Sequence, residues 1–87
     1  MRHLRSDYDP IQDPSGKIGA DEPVFLLRAK DLIAPEIVQE WALSAEDAGA
    51  DPAMCKRVQE WADEMRAWQR EHANGGKVPD VPEGALR

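Results

Sequence analysis

The chain has 87 residues, which is room for one small hydrophobic core and too little for a two-domain enzyme. Hydrophobic residues make up 41% and charged residues 32%, enough apolar content to fold and too much charge for a membrane span. Lys and Arg number 11 against 17 Asp and Glu, and the resulting charge of −6 disfavours general binding to a nucleic-acid backbone.

Residues 1–22 read as an extended N-terminal arm, rich in the turn formers Asp9, Pro10, Asp13, Pro14, Gly16 and Gly19 and without a sustained apolar period. Met1-Arg2-His3-Leu4-Arg5 starts basic, but turn and acidic residues follow where an export signal needs an apolar run, so the expectation is a cytoplasmic protein. A lone cysteine, Cys55, fits a reducing compartment and offers no intrachain disulfide.

Residues 23–74 are expected to form the core. Pro23-Val24-Phe25-Leu26-Leu27-Arg28 predicts a β-strand buried on both faces. Its partner is sought near Lys17-Ile18, near Lys77-Val78 or in a second subunit. Ala34-Pro35 opens a first helix over residues 35 to 48, with Ile37, Val38, Trp41, Ala42 and Ala45 on one stripe and Gly49 as its stop.

Asp51-Pro52 opens a second helix, an acceptor followed by proline in the first turn. Its seam is read as Met54, Val58, Trp61, Met65 and Trp68, and its end is placed at Asn74-Gly75-Gly76. Residues 75–87 then read as an extended tail with a frayed end. The fold class is mainly α: a helical hairpin with one short strand and an extended arm. Three tryptophans exceed what one hairpin covers, so homo-oligomerisation is expected to complete it, with Phe25, Trp61, Met65 and Trp68 at the interface.

No catalytic residue, cofactor or metal site is expected. His3, His72 and Cys55 lack metal-ligand spacing, and Ser6, Ser15, Ser44 and Cys55 lack a partner base in any recognisable motif. Cys55 near a helix start is the one position where a lowered thiol pKa would be argued. Ser15-Gly16-Lys17 echoes part of a phosphate loop without its flanking glycine or trailing Ser/Thr. Arg28 and Lys30 follow the strand and precede a helix start, an arrangement suited to a phosphate or carboxylate. With Lys17 as a third cation and Tyr8 or Trp41 stacking on a base, these residues form the candidate ligand site.

The stretch Asp21-Glu22-Pro23-Val24-Phe25-Leu26-Leu27-Arg28-Ala29-Lys30-Asp31, continuing through Ala34-Pro35 to Trp41, resembles small uncharacterised proteins encoded by phages and prophages. That resemblance implies an accessory protein that binds a host component or signal. The leading expectation is a non-enzymatic oligomer that sequesters a small anionic, nucleotide-like signal used in host defence. The alternative is an acidic inhibitor that covers a basic surface of a host defence protein through carboxylates such as Asp13, Glu36 and Glu40, or an assembly component that packs on its own kind.

Overall fold

Asp51 and Pro52 start the longest element as the sequence predicts. The Asp51 carboxylate accepts from the Ala53 amide at 3.0 Å, satisfying one of the donors that a helix start leaves open, and Pro52 has no amide to satisfy. In this computed structural model, which describes residues 1–73 and 75–87, helix α2 spans Pro52–Glu71 and helix α1 spans Ala34–Asp47.

α1 ends in a Schellman turn. The Gly49 amide donates to the Glu46 carbonyl at 3.0 Å and the Ala50 amide to the Ala45 carbonyl at 2.9 Å. This closure needs a left-handed residue, and Gly49 supplies it with φ +92°. Four residues from Ala48 to Asp51 then return the chain, and α1 and α2 pack as a hairpin.

α2 stops earlier than expected. His72 is already extended, its ring lies 4.2 Å from that of Trp68 in a stacked arrangement, and its Nδ1 is 2.8 Å from the Trp68 carbonyl oxygen. The end placed at Asn74-Gly75-Gly76 falls partly on Asn74, outside the described residues.

The chain divides into two compact units, Met1–Leu26 with Asp80–Arg87, and Leu27–Pro79. In the first, β1 (Arg2–His3) and β2 (Pro23–Val24) form a parallel pair in the register Arg2 to Pro23 and His3 to Val24. The strand expected over residues 23–28 is therefore only two residues long, and its partner is none of the three anticipated. The ladder cannot lengthen because the chain after His3 turns into a short 3₁₀ segment, Ser6–Tyr8. Without a longer ladder Phe25 is left 71% exposed rather than buried.

The last residues are docked, not frayed. The Ser6 amide donates to the Ala85 carbonyl at 2.7 Å, the Arg87 amide to the Leu4 carbonyl at 2.9 Å, and Ala85 is buried. The Arg87 guanidinium adds bonds to the His3 carbonyl at 2.7 Å and to Asp9 at 2.6 Å. That pairing holds the Asp9 carboxyl below its ordinary pKa and raises that of Arg87.

The second unit contains the hairpin. Its entrance and exit are joined where Leu32 donates to the Lys77 carbonyl at 2.8 Å and Lys77 donates to the Lys30 carbonyl at 3.1 Å. Residues near Lys77 thus do find a strand-like partner, but it is Asp31 rather than the segment after Pro23.

Candidate functional site

The core of the hairpin is made of small side chains. Ala34 and Ala42 of α1 and Ala62 of α2 are wholly buried, with Cys55 at 1% and Met65 at 8% exposure. Small residues let two helix backbones approach closely, and the large apolar residues are displaced to the margins of the contact. The expected α2 seam was Met54, Val58, Trp61, Met65 and Trp68; the buried stripe instead passes through Cys55, Ala62 and Met65, rotated by part of a turn. Met65 faces inward while Trp61 and Trp68 do not.

Each helical residue is turned by about 100° from the last, which places Ile37 and Trp41 along one edge of the buried stripe of α1 and Gln39 past the other. Arg66 of α2 donates to Gln39 and to Asp63, so the Gln39 edge is the polar side of the hairpin. In an antiparallel pair the two remaining edges share the opposite side. Ile37 and Trp41 therefore face the same way as Met54, Trp61 and Trp68. All are substantially exposed, Trp41 at 52%, Trp61 at 53% and Trp68 at 36%.

The outer flanks of this apolar face are charged. Glu40 and Asp47 lie on the outside of α1, and Glu60, Glu64 and Glu71 on the outside of α2. Arg57 sits among the latter, 3.5 Å from Glu60 and 3.2 Å from Glu64, with its guanidinium 5.2 Å from the Trp61 ring centroid. Toward the polar side, Glu36, Gln39, Leu43, Arg66 and Gln69 help line an open cavity of about 520 Å³.

The predicted ligand residues are divided between the two units. Arg28 is exposed and Lys30 half-buried at the entrance to the hairpin, and among the described residues neither makes an ion pair. The helix start beside them offers fewer amides than expected: Ala34 donates to the Asp31 carbonyl at 3.0 Å, and Pro35 has no N–H. Trp41 stands about 10 Å further along α1 by helical rise. Tyr8 and Lys17 belong to the first unit. Tyr8 is half-buried, with the Arg5 guanidinium 4.4 Å from its ring centroid and His3 at its edge.

The Ser15-Gly16-Lys17 turn does cradle an anion, and the anion is internal. Asp13 accepts from the amides of Ser15 at 2.9 Å, Lys17 at 2.7 Å and Ile18 at 3.0 Å, and from the Ser15 hydroxyl at 2.6 Å. These bonds, the Ser15 hydroxyl foremost, lower the Asp13 pKa to about 2. A depressed carboxylate stabilises the turn fully above its ordinary value near 3.8 and loses that contribution as pH falls through about 2. The Lys17 and Ile18 amide resonances should accordingly titrate with a midpoint near 2. A midpoint near 3.8 would show that the carboxylate is not held.

Sequence reasoning missed His3, expected in a loose arm. It is 3% exposed, its Nε2 is 2.8 Å from the Ile11 carbonyl oxygen, and its Nδ1 has no hydrogen-bond partner among the described residues. It helps line a cavity of about 250 Å³ with Arg2, Leu4, Pro23, Val24 and Arg87. No local signal marks a single histidine for burial, because its contacts come from distant segments.

Cys55 is closed inside the helical contact, which removes the exposure that a reactive thiol needs. Among the described residues no cluster of His, Cys, Asp or Glu is arranged to hold a metal ion, and no helix is long and apolar enough to cross a membrane. No family model matches the chain, and no match is found among curated proteins or solved structures. What the second unit presents chemically is an exposed apolar surface between acidic flanks.

Proposed function

We propose that the chain is a non-enzymatic protein-binding module that seats a partner on the tryptophan-bearing face of its helical hairpin. The observation that carries this reading is the exposure of Trp41 and Trp61 on one side of a hairpin whose buried contact is built from alanines. Exposed aromatic residues on a rigid support are the side chains that most often dominate binding energy at protein interfaces. Monomeric proteins seldom leave such residues clustered without a use. The acidic flanks direct the choice of partner to a basic surface, which is the inhibitor reading of the sequence with its carboxylates relocated. Glu36 and Glu40 remain available for it, while Asp13 is committed to its own turn.

The test is recovery of partners from a lysate of the producing cell on immobilised wild-type protein and on the Trp41→Ala/Trp61→Ala variant, with circular dichroism confirming that the variant is helical. A stoichiometric protein retained by wild type and reduced at least about tenfold on the variant is expected, the loss of two interface anchors. Equal retention on both would overturn the reading.

A second reading, sequestration of a small anionic, nucleotide-like ligand by an oligomer, is favoured by Arg28 and Lys30, two neighbouring cations that make no ion pair among the described residues. Native mass spectrometry distinguishes it: a stoichiometric small mass lost in Arg28→Ala supports it, and an empty protein counts against it.

A further inference from the structure

Resting on that reading, we propose that the occupant of the apolar face is a basic amphipathic helix of another protein. The face has the form such a helix needs. Ile37 and Trp41 from α1 and Trp61 and Trp68 from α2 stand on either side of the line where the helices meet, so two rows of exposed apolar side chains bound the path of a docked helix, the trough of this proposal. A third helix lying in the trough sets its own apolar stripe between those side chains, the geometry of helix-in-groove recognition. The long side chains at the edges of its stripe then extend over the outer flanks.

Charge decides what those edge residues are. The outer sides of the two helices carry five carboxylates, Glu40, Asp47, Glu60, Glu64 and Glu71, against one guanidinium, Arg57, which already pairs with two of them. Lysine or arginine at the margins of the docked stripe meets carboxylates on both sides. Glutamate there meets repulsion. The same charges disfavour nucleic acid and anionic lipid.

Area and charge also argue against a second copy. From the fractional exposures of its three tryptophans, Ile37 and Met54, the face offers on the order of 500 Å² of apolar surface. Two copies facing each other would bury roughly 1,000 Å² in total, under the range of about 1,200–2,000 Å² typical of stable protein pairs. They would also oppose two chains of charge −6 with acidic flanks in register. A single helix needs only the trough.

The full chain is titrated with a synthetic peptide of about 18 residues, five helical turns, with leucines at i, i+3, i+4 and i+7 and lysines elsewhere. The peptide lacks tryptophan, so emission reports the three tryptophans of the protein. The expected result is a saturable blue shift at one peptide per chain, with Kd of about micromolar order. Affinity should fall at least about tenfold in Trp41→Ala/Trp61→Ala. It should fall also in Glu40→Lys/Glu64→Lys, and on raising salt from about 50 to about 500 mM.

Equal binding of a peptide with glutamate in place of lysine, or of the scrambled sequence, would overturn the proposal. So would a preference for phosphatidylglycerol vesicles over the peptide, or a dimer by sedimentation velocity that already covers the tryptophans. If the peptide fails while the lysate partner is still lost on Trp41→Ala/Trp61→Ala, the helical occupant is wrong and the binding face stands. If neither binds, the reading of the face itself falls.

Discussion

Replacing Ala62 by leucine is expected to destabilise the hairpin by about 1–3 kcal/mol, the usual cost of overpacking a well-filled contact. Ala62 and Ala42 are both wholly buried, and the Gln39–Arg66 bond sets their levels. One turn from that bond along each antiparallel helix brings Ala42 and Ala62 beside each other. A leucine there adds three heavy atoms where the backbones approach, and either the helices separate or the side chain leaves its preferred rotamer. For a chain of this size each kcal/mol lowers Tm by about 4–8 °C, so thermal unfolding followed by circular dichroism resolves the effect. Ala53→Leu, exposed on α2, should change stability by no more than about 0.5 kcal/mol. Trp61→Ala makes the comparison sharper. If Trp61 were the core residue that its spacing suggests, its removal would cost about 3–5 kcal/mol. Half-exposed at the margin, it should cost less than Ala62→Leu. The reverse order would show that α2 packs through its tryptophans.

That contrast marks how far the sequence could be read. The helices were legible because their ends carry local chemistry: Asp51 and Pro52 at the start of α2, Gly49 at the close of α1. Both lie within a few residues of the groups they satisfy. Periodicity also located the apolar side of α2, but it could not fix the rotation of that side to better than part of a turn. Trp61 and Trp68 outweigh Cys55 and Ala62 in any hydrophobicity count, yet close packing favours the smaller side chains. Periodicity thus named Trp61 and Trp68 together but set them in the buried seam of α2, which runs through Cys55 and Ala62 instead.

The first unit was less legible for a related reason. Its bonds join Ser6 to Ala85 and Arg87 to Leu4, and nineteen residues lie between its parallel strands, so no local pattern records them. The turn at Ser15-Gly16-Lys17 was visible as an amide cradle. That Asp13 fills it follows from the side chain four residues before Lys17, a short-range Asx contact that the sequence does permit.

The second large effect is expected at Gln69, where one residue near the end of α2 ties the entrance of the hairpin to its exit. Its Nε2 donates to the Ala29 carbonyl at 2.9 Å and to the Asp31 carbonyl at 3.0 Å, on the segment that enters α1. Its own backbone fixes the exit: a Cβ on Gly75 would come within 2.6 Å of the Gln69 carbonyl oxygen, so the chain turns back directly against the last turns of α2. From there it reaches Lys77 and the paired bonds with Lys30 and Leu32. Gln69→Leu keeps much of the side-chain volume and removes the donor, leaving two partly buried carbonyls without it. An unsatisfied buried polar group costs about 1–3 kcal/mol, and partial access to water keeps the expected total near 2 kcal/mol. Chemical denaturation should show that loss, and hydrogen exchange should quicken first at the Leu32 and Lys77 amides. Gln69→Glu should be at least as damaging, since it replaces the donor by a carboxylate facing two carbonyl oxygens. Unchanged stability in Gln69→Leu would mean that water satisfies both carbonyls, and the entrance to α1 would then depend on the Lys77 bridge alone.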